Sequence, residues 1–148
     1  MTTAMQLTDN FWVAGQISPD DLKEIAHNGV KTVICNRPDG ESADQFTYQE
    51  IEHAAKALGL ETAYCPVISG RMTEENVELF KHIIHSLPAP YLAYCRSGMR
   101  STSLWALSHS SDQPADTLIA AAANAGFDLS PLRSKFEMDF ADKLTGKG

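Results

Sequence analysis

The chain has 148 residues, which is the length of one ordinary domain. Its composition, with 43% hydrophobic and 21% charged residues, is typical of a globular protein and excludes a disordered or fibrous chain. Twelve Lys and Arg residues against nineteen Asp and Glu give a net charge of -7, which argues against nucleic acid or an anionic membrane as the main partner.

The predicted elements alternate between short β-branched or aromatic runs and amphipathic stretches, a pattern typical of α/β proteins with a mostly parallel sheet. In chain order, the first half predicts a strand at Phe11–Ala14, a helix from Ser18 to Asn28, a strand at Val30–Cys35 and a helix from Asp44 to Leu58. We expect Ser18 to be the N-cap of the first helix, with Pro19 at its first helical position.

The second half continues the alternation and then becomes helical. It predicts strands at Thr62–Val67 and Tyr91–Tyr94, and helices from Thr73 to Leu87, Ser101 to Ser108, Asp112 to Ala125 and Pro131 to Leu144. We therefore predict a single α/β domain over residues 1–148, with a four-stranded, mainly parallel sheet flanked by helices.

Targeting and redox features indicate a soluble cytoplasmic protein. No stretch approaches the roughly 20 apolar residues that a membrane span requires, and the first ten residues, MTTAMQLTDN, lack the basic and apolar regions of a secretory signal. Three cysteines without a C-x-x-C pair do not predict a disulfide framework or a zinc site.

The three cysteines, Cys35, Cys65 and Cys95, are spaced thirty residues apart, and each lies where a predicted strand ends. Thirty residues is about the length of a strand-helix unit, so we expect all three along the carboxyl edge of the sheet, where ligands of open α/β sheets bind. For Cys35 and Cys65 the favoured interpretation is a small, buried, structural side chain.

The most informative run is the segment YCRSGMRS, residues 94–101, in which a strand, a glycine turn and a helix start follow one another. Backbone N–H groups of residues 96–100 are expected to converge on an anion at the helix N-terminus. They would favour the thiolate form of Cys95, as would Arg96 and Arg100 nearby.

Each remaining residue of the run has an expected task. Arg100 can bind two oxygens of a tetrahedral oxyanion at once, and Gly98 lets the backbone close tightly. Ser101 is placed to donate a hydrogen bond to the sulfur when the thiolate leaves, and Ser97 and Met99 contribute their amides to the anion site. The run therefore predicts a nucleophile inside an oxyanion-binding loop.

Three segments of the chain resemble a known family: WVAGQ at residues 12–16, NRPDGE at residues 36–41, and YCRSGMRS followed by LWAL at residues 104–107. They are similar to the phosphatase-like domain of the beta-lactamase-hydrolase-like (DUF442) family, over about residues 7 to 110. That family is similar to dual-specificity cysteine phosphatases. The resemblance implies a cysteine-phosphatase-like fold, with Cys95 as nucleophile and Arg100 as the oxyanion-binding arginine.

The chain departs from the phosphatase pattern at three points. Four residues rather than five separate Cys95 from Arg100, and Tyr94 stands where those phosphatases usually carry His. The loop after the third predicted strand, VISGR at residues 67–71, contains no acid where a general-acid Asp is usual. Asp39 is the first candidate for a general acid and Glu41 the second, and a solvated turn is the alternative for both.

The four-residue spacing is similar to that of rhodanese-type sulfurtransferases, in which the same thiolate would carry sulfur as a persulfide. Outside the loop this second resemblance fades, because the chain has no G-H-I-x-G-A-like segment after Arg37. The whole-chain pattern favours a phosphatase, whereas the loop length favours sulfur chemistry.

The sequence therefore predicts a cysteine-dependent phosphatase that forms a phosphocysteine intermediate on a small anionic substrate or a phosphorylated protein. Such chemistry needs no metal or organic cofactor. A sulfurtransferase using Cys95 is the first alternative, and a non-catalytic module that binds oxyanions is the second. The sequence does not indicate the oligomeric state.

Overall fold

A computed structural model describes residues 4–146 of the chain. Within them, five strands form one sheet in the order β1-β2-β5-β3-β4. The strands are β1 (Met5–Thr8), β2 (Phe11–Ala14), β3 (Thr32–Cys35), β4 (Glu61–Tyr64) and β5 (Tyr91–Tyr94). Strands β2, β5, β3 and β4 are parallel to their neighbours, whereas β1 is antiparallel to β2.

The prediction of four strands was wrong by one, because β1 lies in the segment that sequence patterning left unassigned. Its four residues, MQLT, are half polar, and they give only a weak strand pattern. A short turn at Asp9 and Asn10 returns the chain into β2, so that Met5 pairs with Val13. The hairpin therefore adds an antiparallel edge strand to an otherwise parallel sheet, which is common in α/β proteins.

Helices cover both faces of the sheet. Their bounds are α1 (Asp21–His27), α2 (Tyr48–Ala57), α3 (Glu74–Ser86), α4 (Met99–His109), α5 (Ala115–Asn124) and α6 (Arg133–Leu144), with a short 3-10 turn at Ser130–Leu132 before α6. Apolar side chains of α1 and α2 pack with one face of the sheet, and those of α3, α4, α5 and α6 pack with the other. Two separate apolar cores therefore enclose the sheet.

Threonine caps fix the starts of two helices. Thr73, at which the helix was predicted to begin, caps α3, and its hydroxyl accepts a hydrogen bond from the Asn76 N–H at 3.1 Å. Helix α2 begins at Tyr48 rather than at Asp44, because Thr47 and Glu50 form a capping box there. The segment between β3 and α2 is therefore a longer loop than predicted.

The first helix also begins later than predicted. Ser18 is not the residue next to α1, which is Asp20. Nevertheless the Ser18 hydroxyl accepts a hydrogen bond from the Asp21 N–H at 3.3 Å, and the Ser18 N–H donates to the Asp21 carboxylate at 2.9 Å. Ser18 thus satisfies a backbone donor at the start of α1, although it lies two residues before the N-cap residue Asp20.

The three cysteines lie at one edge of the sheet, as their spacing predicted. Cys35 ends β3 and is paired in register with Tyr64 of β4 and Tyr94 of β5. Cys65 and Cys95 directly follow those two tyrosines, at the carboxyl ends of their strands. The loops that leave this edge therefore surround the Cys95 segment.

No helix among residues 4–146 is long and apolar enough to cross a bilayer.

Candidate active site

The Cys95 loop connects β5 to α4 across four residues. Cys95 is almost fully buried, with 1% of its surface exposed, and the Gly98 N–H donates a hydrogen bond to its Sγ atom at 3.1 Å. The sulfur therefore lies at the N-terminus of α4 with a backbone amide directed at it. Although Cys95 is buried, its sulfur thus contacts a polar N–H group.

Gly98 is required where it stands. Its φ of 101° lies in the left-handed region, and a Cβ atom placed on it would lie 2.8 Å from the Cζ atom of Phe127. Only glycine adopts this conformation without strain and leaves room for the phenyl ring. The turn therefore brings the Gly98 amide to the sulfur because no side chain is present at this position.

Arg100 is held beside the sulfur by two partners. Its Nη1 atom donates to Glu41 Oε2 and to the carbonyl of Val67, both at 2.7 Å, and its Nη2 atom donates to Glu41 Oε1 at 2.9 Å. These contacts take three of the five guanidinium N–H groups. The remaining edge, formed by Nε and Nη2, has no oxygen acceptor among residues 4–146 and matches the spacing of two oxygens of an oxyanion.

The electrostatics of the pair agree with this geometry. The hydrogen bonds to Glu41 raise the pKa of Arg100 above its usual value, and the Cys95 sulfur nearby acts in the same direction. The hydrogen bond from Arg100 holds the pKa of Glu41 below its ordinary value, with a second contribution from Arg37. Both groups are therefore charged at neutral pH.

Glu41 also contacts a second, buried arginine. The Nε atom of Arg37 donates to Glu41 Oε1 at 3.0 Å, and its Nη1 atom donates to Gln16 Oε1 at 3.0 Å. Arg37 is 5% exposed, so Gln16 and Glu41 satisfy a cation that would otherwise be costly to bury. These contacts connect the loop after β2 to the loop after β3.

Asp39, the first candidate for a general acid, lies in the same loop as Glu41. Its Oδ1 atom accepts a hydrogen bond from the Tyr48 N–H at 2.8 Å, at the first turn of α2. Its own N–H donates to the Tyr64 hydroxyl at 3.0 Å. The carboxylate thus stabilises a helix N-terminus in this arrangement, and its role as a general acid remains a prediction.

The other predicted loop residues differ in their exposure to solvent. Arg96, Ser97 and Met99 are all exposed at the surface of the loop, and the Met99 N–H donates to the Ser97 hydroxyl at 3.4 Å. Ser101 is fully buried, and its hydroxyl donates to Asn36 Oδ1 at 2.8 Å rather than to the sulfur of Cys95.

Cys35 and Cys65 lie on the same sheet edge but in different surroundings. They are buried, with 3% and 0% of their surfaces exposed, and burial raises the pKa of each thiol to about 11. The Cys35 thiol is hydrogen-bonded to the carbonyl of Arg37 at 3.3 Å. These properties agree with their predicted structural role.

Sequence reasoning missed three residues of the site: Gln16, Asn36 and Val67. Asn36 and Gln16 were visible in the motifs NRPDGE and WVAGQ, and a polar residue within two positions of the end of a predicted strand is a signal that could have singled them out. Val67 acts through its backbone carbonyl, which no side-chain pattern reveals. Within residues 4–146, no group of three His, Cys, Asp or Glu side chains is arranged to hold a metal ion.

Comparison with known proteins gives the family. The model of the "Beta-lactamase hydrolase-like protein, phosphatase-like domain" family matches residues 4–112. A beta-lactamase hydrolase-like protein of Xylella fastidiosa is 31% identical over 127 residues, and one of Agrobacterium fabrum is 28% identical over 109 residues. These matches cover 84% and 74% of this chain but only 30% and 25% of the relatives, so the chain spans less than a third of their length.

Comparison with solved structures identifies the fold. A phosphatase candidate of Neisseria meningitidis superposes with a TM-score of 0.81 at 31% identity, covering 91% of this chain and 96% of that one. The kinase associated phosphatase, crystallised with its catalytic-site cysteine replaced by serine, superposes with a TM-score of 0.69 at 14% identity, over 98% of this chain and 96% of that one. The fold is thus that of the dual-specificity cysteine phosphatases. With its matching motifs and the family model, this chain belongs to the phosphatase-like domain family of the beta-lactamase hydrolase-like proteins.

Proposed function

We propose that the chain hydrolyses phosphate esters through a phosphocysteine intermediate on Cys95. One observation carries the proposal: the sulfur accepts the Gly98 N–H while the Arg100 guanidinium is held beside it, with its Nε and Nη2 edge without an oxygen acceptor among residues 4–146. A nucleophile and an oxyanion-binding cation in this arrangement suit attack on a tetrahedral anion.

In the first step, a sulfur lone pair of Cys95 attacks phosphorus and forms a P–S bond as the bond to the ester oxygen breaks. The free edge of Arg100 binds two non-bridging oxygens while charge develops on them. The leaving oxygen takes the bonding electron pair and, unless it is a stable phenolate, requires a proton.

Asp39 is the proposed donor of that proton. Its carboxyl would have to leave the Tyr48 amide, which it contacts at 2.8 Å. Glu41 is the weaker candidate, because the hydrogen bond from Arg100 lowers its pKa and favours the ionised form. We therefore expect aryl phosphates, whose leaving groups depend least on an acid, to be the best test substrates.

In the second step, water attacks phosphorus, the P–S bond breaks and its electron pair returns to the sulfur of Cys95. Inorganic phosphate is released, and the proton of the attacking water passes to Asp39 or to the phosphate itself. The proposed physiological substrate is a small phosphorylated molecule or a phosphorylated protein in the cytoplasm.

Hydrolysis of an aryl phosphate such as p-nitrophenyl phosphate tests the proposal directly. We expect the wild type to release phenolate and Cys95→Ser to lose turnover, while its binding of inorganic phosphate is retained. Cys65→Ser is the matched control, since this thiol lies on the same sheet edge but outside the loop. Turnover that survives in Cys95→Ser would overturn the assignment.

A second candidate function is transfer of sulfane sulfur by the same residue. It is favoured by the four-residue spacing between Cys95 and Arg100 and by the loop VISGR at residues 67–71, which contains no acid. In this reaction the thiolate attacks the outer sulfur of thiosulfate, the S–S bond breaks, and sulfite leaves with the electron pair. No proton donor is needed, because sulfite is stable as an anion.

Parallel assays separate the two reactions. After treatment with thiosulfate, a sulfurtransferase gains the mass of one sulfur atom on Cys95, and cyanide then removes it as thiocyanate. A phosphatase shows no such gain and releases phosphate from the aryl ester instead.

A further inference from the structure

A buried polar network lies directly behind the Cys95 loop, with Asn36 at its centre. Asn36 follows β3 and is fully buried, as is Ser101. The Ser101 hydroxyl donates to Asn36 Oδ1 at 2.8 Å, and Asn36 Nδ2 donates to the carbonyl of Cys65 at 2.9 Å. Buried amides are costly unless both ends are hydrogen-bonded, and here both ends are.

The backbone of Asn36 contacts both sides of the site. Its N–H donates to the carbonyl of Tyr94 at 2.8 Å, and its carbonyl accepts the Val67 N–H at 3.0 Å. Tyr94 is the residue before Cys95, and the carbonyl of Val67 accepts a hydrogen bond from Arg100. One buried residue thus contacts the neighbours of the nucleophile and a partner of the arginine.

The direction of each hydrogen bond in this network is fixed by chemistry. The carbonyl of Cys65 can only accept, so the nitrogen of the Asn36 amide faces it and the oxygen faces Ser101. A serine hydroxyl has one proton, and Ser101 gives it to Asn36. The sulfur of Cys95 therefore receives the Gly98 N–H and not the Ser101 proton in this arrangement.

We propose that Asn36 is a positioning residue for the Cys95 loop. By holding the Ser101 hydroxyl, it fixes the first turn of α4, which carries Arg100 and follows the Gly98 amide. It touches no reacting atom and acts through Ser101. The role rests on the proposed function, since it matters only where Cys95 is the reacting group.

The rate of Cys95 alkylation by iodoacetamide, measured against pH, tests this role. In Asn36→Ala and in Ser101→Ala we expect alkylation at pH 7 to slow roughly tenfold, because the amide and the guanidinium lose their alignment with the sulfur. The double variant should react no more slowly than either single one, since both remove the same hydrogen bond.

Thr32→Val is the matched control. Thr32 lies at the other end of β3, is equally buried, and donates its hydroxyl to the carbonyl of Pro88 at 2.7 Å. We expect it to lower Tm as Asn36→Ala does and to leave the alkylation profile unchanged. The proposal is wrong if Asn36→Ala alkylates like the wild type, or if the effects of the Asn36 and Ser101 variants add.

The same measurement still tests the role of Asn36 if Asn36→Ala does not fold or if the proposed function is wrong. If Asn36→Ala does not fold, a wild-type profile in Ser101→Ala overturns the role, and a slowed one supports it. Alkylation needs no turnover, so failure to hydrolyse phosphate esters or to accept sulfur would end the proposed function without deciding the role of Asn36.

Discussion

The Glu41 carboxylate accepts hydrogen bonds from Arg100 and Arg37, and these contacts decide which task its side chain can perform. Both arginine side chains are largely shielded from solvent, with 12% and 6% of their surfaces exposed. Because Arg100 above all lowers the pKa of Glu41, the group is ionised at neutral pH and cannot readily donate a proton. It is better suited to orienting Arg100 than to acting as the general acid.

Glu41→Gln tests this interpretation through the pH dependence of stability. Above its ordinary pKa of 4.5 the ionised group stabilises the fold, and this stability is lost as the pH falls through the lower folded-state pKa. We therefore expect the variant to lose roughly 1–3 kcal/mol of unfolding free energy at pH 7. Denaturant unfolding should show this difference from the wild type shrinking as the pH drops below 4.5.

The control for this measurement is Glu137→Gln. Glu137 forms an ion pair with Arg133 at 3.7 Å in which both side chains are well exposed, and such pairs contribute at most about 1 kcal/mol. A Glu41→Gln deficit that stays constant from pH 7 to pH 3 would show that lost packing, rather than lost charge, causes it.

At the scale of elements, α4 begins inside the candidate site, and this feature was predictable only in part. Sequence patterning predicts the helix start at Ser101, whereas α4 begins at Met99. Gly98 occupies the N-cap position with a left-handed backbone, so the helix starts as soon as the turn closes. The space left by the missing side chain is filled by Phe127, from the segment between α5 and α6.

Gly98→Ala should therefore disturb both the fold and the chemistry. A left-handed alanine costs about 1–2 kcal/mol, and its Cβ atom would also lie 2.8 Å from the Phe127 ring. We expect a loss of unfolding free energy beyond the backbone strain alone, together with slower Cys95 alkylation, because the amide that donates to the sulfur moves.

Two further variants separate the backbone strain at Gly98 from the contact with Phe127. Gly126 has a similar φ of 96°, and a methyl group at this position would meet nothing within 4 Å among residues 4–146, so Gly126→Ala measures backbone strain alone. Combining Gly98→Ala with Phe127→Ala should remove the excess loss. If the two glycine variants are equally destabilised, the contact with Phe127 has no energetic role.

Local patterns predict some elements and not others for physical reasons. The bounds of β2 and β5 agree with the prediction to the residue, because buried parallel strands have short apolar sequences. In contrast, β1 depends on pairing with β2 for its existence. The contact between Glu41 and Arg100 joins residues 59 positions apart, and no local spacing of residue types encodes it.

At the scale of the whole molecule, the parallel sheet collects three loops at one edge. The loops after β2, β3 and β4 provide Gln16, Glu41 and the Val67 carbonyl, and the Cys95 loop follows β5, which lies between β2 and β3. This arrangement also places three free thiols at one edge. Their surroundings separate them, since only Cys95 lies in a loop with an amide directed at its sulfur.

This difference in surroundings predicts which of the three thiols reacts in the folded protein. All three thiols are buried, so exposure does not separate them. The pKa values of Cys35 and Cys65 are raised to about 11, so both stay protonated at pH 8 and are poor nucleophiles, whereas the sulfur of Cys95 accepts the Gly98 N–H. We expect peptide mapping after brief treatment with iodoacetamide at pH 8 to find one adduct, on Cys95, and three adducts once denaturant is added.

The same experiment on Cys95→Ser should give no adduct in the native state. It also bears on sulfur transfer, because a protonated buried thiol cannot accept a persulfide sulfur efficiently from a neighbour. If Cys95 carries a persulfide, the acceptor is then a thiol or cyanide from solution rather than Cys35 or Cys65. Native alkylation of either residue at a rate close to that of Cys95 would contradict the prediction and make that residue a candidate acceptor of the persulfide sulfur.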